Sequence, residues 1–119
     1  MAVISANTTR QGHPDRVIVW SGIGEDDTCA PFQAPFGLGL AGAVQVAGTF
    51  GGATVALQVS IDGENYVTLS DLTGQAISLS AAGMREFGTS ALYLRPTPSG
   101  TSGTTALTVT VRLPLLRAE

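Results

Sequence analysis

The residue types that do chemistry are few in this chain and stand far apart. Gly37-Leu38-Gly39-Leu40-Ala41-Gly42 has the spacing G-x-G-x-x-G, and Asp62 lies twenty residues beyond it, as in dinucleotide-binding turns. Such a turn needs a buried strand before it and a helix behind it whose N-terminus holds the pyrophosphate. Here Pro31 and Pro35 precede the glycines and a β-branched segment follows, so no nucleotide site is expected and Asp62 is read as a turn residue. His13 is the only histidine and Cys29 the only cysteine. Nucleophilic catalysis needs a nucleophile held by a base and an orienting group, and no spacing here unites them. Cys29 is therefore read as a small apolar filler or a loop thiol.

Glu25-Asp26-Asp27 is the densest acidic cluster, and Asp62, Glu64 and Asp71 flank a hairpin further on. A hard cation takes about six or more oxygens from spaced carboxylates and carbonyls. Adjacent acids supply charge without that geometry and are read as solvated loop charges. Asn7-Thr8-Thr9 fits a glycosylation acceptor, but nothing routes the chain to a secretory pathway, so it is read as part of a polar arm. Of the seven aromatics, Trp20, Tyr66 and Tyr93 are the ones most open to a sugar-binding role; the remainder fit core positions. No catalytic residue, cofactor or metal-ligand set emerges, and the chain is read as a non-enzyme.

The elements that would position these residues are strands. Residues 16–21 are β-branched and aromatic, which suits a pleated, half-buried surface. Residues 22–42 are crowded with Gly and Pro and read as a long loop with at most one short strand; loops of that length are often functional. Val44 and Val46 share one face of a strand over residues 43–50. Val55, Leu57 and Val59 alternate with Ala56, Gln58 and Ser60, the period of two of a half-buried strand. Asp62-Gly63 then supplies a tight hairpin turn, and residues 66–69 return. Ile77 and Leu79 mark another strand. Residues 80–87 fit one helical turn with Ser80 as its N-cap. Leu92 and Leu94 mark a strand that Pro96 should stop by removing a donor, and residues 97–105 read as a flexible loop. Leu107, Val109, Val111 and Leu113 alternate inward against Thr108, Thr110 and Arg112.

About seven short strands, punctuated by turns, predict an all-β chain: an antiparallel, jelly-roll-like sandwich over residues 16–119 with an extended N-terminal arm over residues 1–15. The length, 119 residues, suits one domain.

Composition narrows the function classes. Six basic and nine acidic side chains leave 13% of the residues charged, about half the ~25% of an average domain. All six basic residues are arginine, and the net charge is −3. Nucleic-acid binders show a basic stripe that displaces counterions, and these arginines are scattered, so neither nucleic acid nor an anionic membrane is an expected partner. No apolar run approaches the ~20 residues of a membrane span. The four apolar residues at the start do not make a signal peptide, and one unpaired cysteine fits a reducing cytosol. Outward positions are largely Thr, Ser, Ala, Gln and Gly, a surface suited to burial between subunits, where charge is depleted.

Residues 48–113 carry a further signal. GTFGGATV leads into a strand; SIDGENY follows it; Leu94-Arg95-Pro96 then precedes a Ser/Gly loop and the final Thr/Val strand. This succession resembles the small decoration, or cement, proteins of tailed-bacteriophage heads and the related head-fibre domains. The resemblance implies a jelly-roll-like sandwich that assembles as a homotrimer. Such trimers sit on the exterior of an expanded head and tie the major capsid protein subunits together, after synthesis in the host bacterial cytoplasm. On that reading the arm around Arg10, His13 and Arg16 and the C-terminal Leu115, Leu116 and Arg117 are the candidate contact residues, because they lie outside the expected sandwich and carry half of the arginines. The alternative is a tail or fibre adaptor that binds a receptor carbohydrate. Residues 1–47 do not match the pattern.

Overall fold

The alternation at the end of the chain organises the molecule. In strand β12 (Ala106–Leu113) the residues Leu107, Val109, Val111 and Leu113 are buried to 1% exposure or less. Every second side chain of a strand points to the same face, so β12 offers one continuous apolar row. The computed structural model describes residues 2–9, 16–34 and 40–114. Among them no residue is helical, and eleven further strands precede β12: β1 (Val3–Ile4), β2 (Asn7–Thr9), β3 (Arg16–Ile23), β4 (Thr28–Cys29), β5 (Phe32–Gln33), β6 (Leu40–Thr49), β7 (Thr54–Ser60), β8 (Val67–Thr68), β9 (Ser78–Leu79), β10 (Gly83–Thr89) and β11 (Tyr93–Ser99).

The strands form an all-β sandwich. One sheet has the order β10-β6-β12-β3-β2; the other runs β5-β11-β7-β8, with β9 also on β7; β1 and β4 make a separate parallel pair. The inward rows of both sheets meet in one core. Ile18 and Trp20 of β3, Val44 and Val46 of β6 and the β12 row face Val55, Leu57 and Val59 of β7 and Leu94 of β11. Register keeps the inward residues together across the larger sheet, with Val109 opposite both Val46 and Trp20. Between the Leu107 and Val109 pairs, β3 carries one extra residue. Gly22 sits in this bulge at φ +72°, a conformation glycine adopts without steric cost. The bulge returns Ile23 to the core, where it is fully buried.

Four expectations change. Residues 2–9, expected as an arm, are extended but docked. Asn7–Thr9 pairs antiparallel with β3, and Val3–Ile4 pairs in parallel with β4. Ala2 completes this strap by accepting from the Thr28 N–H at 2.8 Å and donating to Asp27 Oδ1 at 3.0 Å. The remainder of the expected arm, residues 10–15, lies outside the described residues.

Residues 83–89 form strand β10 rather than a helical turn. Met84, Arg85 and Glu86 have good helix propensity, but seven residues pair with β6 in unbroken register and Phe87 enters the core at 2% exposure. Tertiary pairing outweighs a preference of a few tenths of a kcal/mol per residue. Likewise Pro96 does not stop β11, which runs on through Pro96 and Pro98 to Ser99. Leu57, the register partner of Pro96, donates to Ile77 O and accepts from the Leu69 N–H. Its polar groups are thus turned away from the proline, and Pro96 occupies a position where β7 asks for no donor. Finally, the β7–β8 connection is wider than a tight turn. The last pair is Val59 with Val67, and only Gly63 in the loop has a positive φ, +81°.

Gly42 lies in β6 where that strand and β12 approach so closely that an added Cβ would run into the Arg112 carbonyl, whereas one at Gly88 would meet only the Ala41 Cβ at 3.9 Å. Overpacking against backbone costs about 1–3 kcal/mol or more. Gly42→Ala should therefore lower the thermal midpoint by several degrees, while Gly88→Ala, also in a strand, leaves it unchanged or raised. Thermal denaturation followed by circular dichroism checks the pair; equal midpoints would contradict this register.

Candidate interaction surface

Of the contact residues expected from the sequence, Arg10, His13, Leu115, Leu116 and Arg117 lie outside the described residues. Arg16 is the first residue of β3 and pairs with Leu113, the last of β12. β2 ends at Thr9 and β6 begins at Leu40, beside the same short edge of the larger sheet. The described residues Thr9, Arg16 and Leu113 therefore lie at one end of the larger sheet.

The chemistry-bearing residues are taken up by structure. Cys29 is 6% exposed, and burial first, then the Asp27 charge, pushes its thiol up to about 12. A thiol so protonated is a poor nucleophile. It borders a small cleft of about 130 Å³ with Asp27, Thr28, Arg95 and Pro96, where the Asp27 carboxylate is engaged by the Ala2 and Gly24 N–H groups. Asp27 accepts from the Gly24 N–H through Oδ2 at 2.8 Å as well as from Ala2, so its carboxylate closes a turn. Asp26, at φ +61°, donates its N–H to Thr101 Oγ1 at 2.9 Å. Among the described residues no group of three His, Cys, Asp or Glu is placed to hold a metal ion. The G-x-G-x-x-G spacing ends in strand β6 and has no helix to supply an anion site; Gly37 and Gly39 lie outside the described residues.

Two loops are built on carboxylates. Asp62 Oδ1 accepts from the Glu64 and Asn65 N–H groups and from Ser60 Oγ, each at 2.9 Å, and Oδ2 accepts from Asn65 Nδ2 at 2.8 Å. These bonds, the backbone ones foremost, hold the carboxyl well below the usual range. Asp71 accepts from the Thr73 hydroxyl at 2.6 Å and from the Gln75 N–H, which lowers it too. It also lies 3.6 Å from Arg85 Nε.

The aromatics expected to be available are occupied. Trp20 is fully buried and donates through Nε1 to Ala30 O at 2.7 Å. Its apolar body fills the core while its one polar atom is satisfied, so it is a core residue. Tyr66 lies under the Arg95 guanidinium, 3.7 Å from ring centroid to Cζ, a contact worth about 0.5–1 kcal/mol or more when shielded from water. Tyr93 packs over Gly63, where an added Cβ would meet its ring at 3.2 Å. Arg95 and Thr97 both donate to Gln58 Oε1, at 3.3 and 2.9 Å, which ties the outer face of the smaller sheet together.

The outer face of the larger sheet is broad and, among the described residues, weakly charged. The outer face of the larger sheet carries one unbroken row, Asn7, Val19, Thr110, Gln45 and Met84, and beside it Val17, Arg112, Ala43 and Glu86. Arg112 and Glu86 are the only described charged residues at its outward positions. On the β10 edge the Leu72 N–H already binds Glu86 O at 2.9 Å. In the smaller sheet β11 lies between β5 and β7 and has no N–H at Pro96 and Pro98. Such devices disfavour strand-to-strand pairing between molecules. Sequence inspection gave the outward residues of β12 but missed β10 and docked β2, whose positions only pairing defines. In comparison with known proteins, the chain matches no family model, no curated protein and no solved structure.

Two outcomes test this account. Asp62 is held low by folded-state bonds, so it contributes stability above its unfolded pKa of about 3.9, and that contribution is lost as pH falls below about 4. Asp62→Asn should be less stable than the parent at pH 7 and should lose less on acidification; parallel pH–stability curves would contradict the bonding. Native Cys29 should resist an aromatic disulfide reagent at pH 8 and react stoichiometrically once the chain is unfolded.

Proposed function

We propose that this chain is a non-enzymatic virion structural protein, a homotrimeric decoration protein that sits on the exterior of an expanded bacteriophage head and ties major capsid protein subunits together. The observation that carries the reading is the surface: a sandwich with a wide sheet face that carries few charges among the described residues, and with Asp27, Asp62 and Asp71 engaged in closing turns. A surface with so little charge suits burial against other protein. The succession of motifs over residues 48–113 resembles head decoration proteins and supports the same assignment.

The mechanism in this reading is mechanical. Each copy makes weak contacts with neighbouring shell subunits, and linked copies gain through effective concentration. Opening the shell then requires breaking many contacts together. Arg10, His13, Arg16, Leu115, Leu116 and Arg117 are the proposed gripping residues. The tail-adaptor and sugar-binding alternative loses its best support, because Trp20 is in the core and Tyr66 and Tyr93 are each packed against a neighbour.

The purified chain, mixed with expanded, DNA-free heads assembled from the major capsid protein of the same genome, should co-sediment saturably and raise the temperature at which the heads open. Truncation after Pro114 should lower occupancy without lowering the melting midpoint of the free protein. Failure of the full chain to bind expanded heads would overturn the decoration reading, and unchanged occupancy after truncation would remove the tail from it.

A further inference from the structure

We infer that Asp62 is a site of spontaneous backbone modification, the conversion of aspartate to isoaspartate through a cyclic succinimide, and that the folded β7–β8 loop holds this reaction back through the Ser60 hydroxyl.

The chain contains one Asp-Gly dipeptide, Asp62-Gly63, and no Asn-Gly. Asp15, Asp26, Asp27 and Asp71 precede Arg, Asp, Thr and Leu, whose side chains shield the next amide nitrogen. Glycine offers no such shield and leaves the backbone free to bend, so Asp62 is the aspartate that can close most readily on its neighbour. The Gly63 nitrogen attacks Cγ of Asp62. The N–Cγ bond forms, a Cγ–O bond breaks, and the oxygen leaves as water with the Gly63 amide proton and the carboxyl proton. A solvent water then opens the ring. Addition at the Asp62 main-chain carbonyl breaks its bond to the Gly63 nitrogen, and the chain afterwards runs through Cβ and Cγ, one methylene longer. Mass and oxidation state are unchanged, and water is the one co-reactant.

In the folded loop one hydroxyl is bonded to both reacting groups. The Gly63 N–H donates to Ser60 Oγ at 2.9 Å, and Ser60 Oγ donates to Asp62 Oδ1 at 2.9 Å. The nitrogen that must attack and the carboxyl it must reach are therefore held on a third atom instead of on each other. The Glu64 and Asn65 N–H groups also bind Oδ1, and Asn65 Nδ2 binds Oδ2, so the carboxyl cannot turn toward Gly63 without giving up several bonds. The same bonds favour the ionised carboxylate, from which oxygen leaves poorly. Ser60 is itself anchored, 3% exposed at the end of β7 and paired with Tyr93. The Tyr93 ring lies over Gly63, where an added Cβ would meet it at 3.2 Å, which leaves little room for a longer main chain. Ser60 is thus a positioning residue, and Asp62 reacts only when the loop opens. Such local opening is distinct from global unfolding. Because it breaks hydrogen bonds to a charged group, it lowers the reacting population about tenfold or more. Isoaspartate at residue 62 therefore records time spent with this loop open.

The test is the isoaspartate content of residue 62, followed by peptide mapping and mass spectrometry while the purified full chain is held at physiological temperature and pH. In denaturant the parent chain should convert steadily; folded, it should convert about tenfold or more slowly. Ser60→Ala frees the Gly63 N–H and should raise the folded-state rate several-fold toward the unfolded one. Asn65→Ala, at an exposed position, removes the bond to Oδ2 and keeps the backbone donor. It should raise the rate as well, and it decides the matter if Ser60→Ala fails to fold. Each variant is measured well below its melting midpoint, so that a rise reports the loop and not global unfolding. A folded parent that converts as fast as the unfolded chain, or a folded Asn65→Ala that converts no faster than the parent, would overturn the inference.

Discussion

Leu107, Val109, Val111 and Leu113 impose the constraint from which the other features follow. β12 lies between β3 and β6, so its apolar row must be matched on both sides, and a slip of one residue would turn every one of those side chains to water. At roughly 1.5–3 kcal/mol per fully buried aliphatic side chain, such a slip would cost about as much as the net stability of an ordinary domain. Register fixed in this way also decides the opposite face. Thr108, Thr110 and Arg112 point outward because their neighbours must point inward, and β3, β6 and β10 continue their rows. The weakly charged outer face is the reverse side of the core-forming pattern, and its composition is free to vary without cost to the fold. That Thr, Ala, Val and Gln occupy it, where Lys and Glu would serve a solitary molecule better, is the feature a functional account has to explain.

The edges constrain such an account further. An open sandwich of this size has four edge strands, and each unpaired row of N–H and C=O groups invites pairing with another chain. Here β2, β5 and β8 are two or three residues long, and Glu86 O of β10 already accepts from the Leu72 N–H. A chain of weak net charge has little long-range repulsion to keep molecules apart, so edge protection by geometry takes the place that charged side chains fill elsewhere. Association is thereby steered to faces and ends, where side chains rather than backbone set the geometry.

The strands with strict alternation, β7 and β12, were legible from residue type alone, as was the all-β class, because burial on one face leaves a period of two in the sequence. β10 was not legible: a border strand buries one large side chain, Phe87, and its other residues follow helix propensity until β6 supplies the pairing. Pro96 misled for a related reason. Its missing donor matters only if the neighbouring strand calls for one, and which residues of β7 face β11 depends on contacts with residues 69 and 77. Trp20 sits in a strong strand pattern, yet its indole needs an acceptor, and Ala30 is brought to it by a loop with no sequence signature. The docking of residues 2–9 escaped notice because it is made mostly by backbone groups, which every sequence possesses. That Thr9, Arg16 and Leu113 share one end of the larger sheet is a relation between segments distant in the chain that only topology could supply.

The loops show how a chain with few charges holds its connections. At the end opposite Arg16, Thr105 Oγ1 donates to Phe50 O and accepts from the Ser102 N–H, each at 2.9 Å, and Ser102 Oγ donates to Gly51 O at 2.9 Å. Hydroxyls there do the work that salt bridges do in other proteins, and they are neither screened by salt nor lost on moderate changes of pH. Asp26 and Asp27 join the same network through Thr101, Gly24 and Ala2. The carboxylates of Asp27, Asp62 and Asp71 each close a turn, so the bonds that make these loops firm also hold those three acids in place. A sandwich with firm loops and a weakly charged broad face is compatible with the mechanical role proposed for it. Stiff interiors transmit strain, and a partner pulling on one end of the sheets loads the ladder of β12, β6 and β3 as a unit.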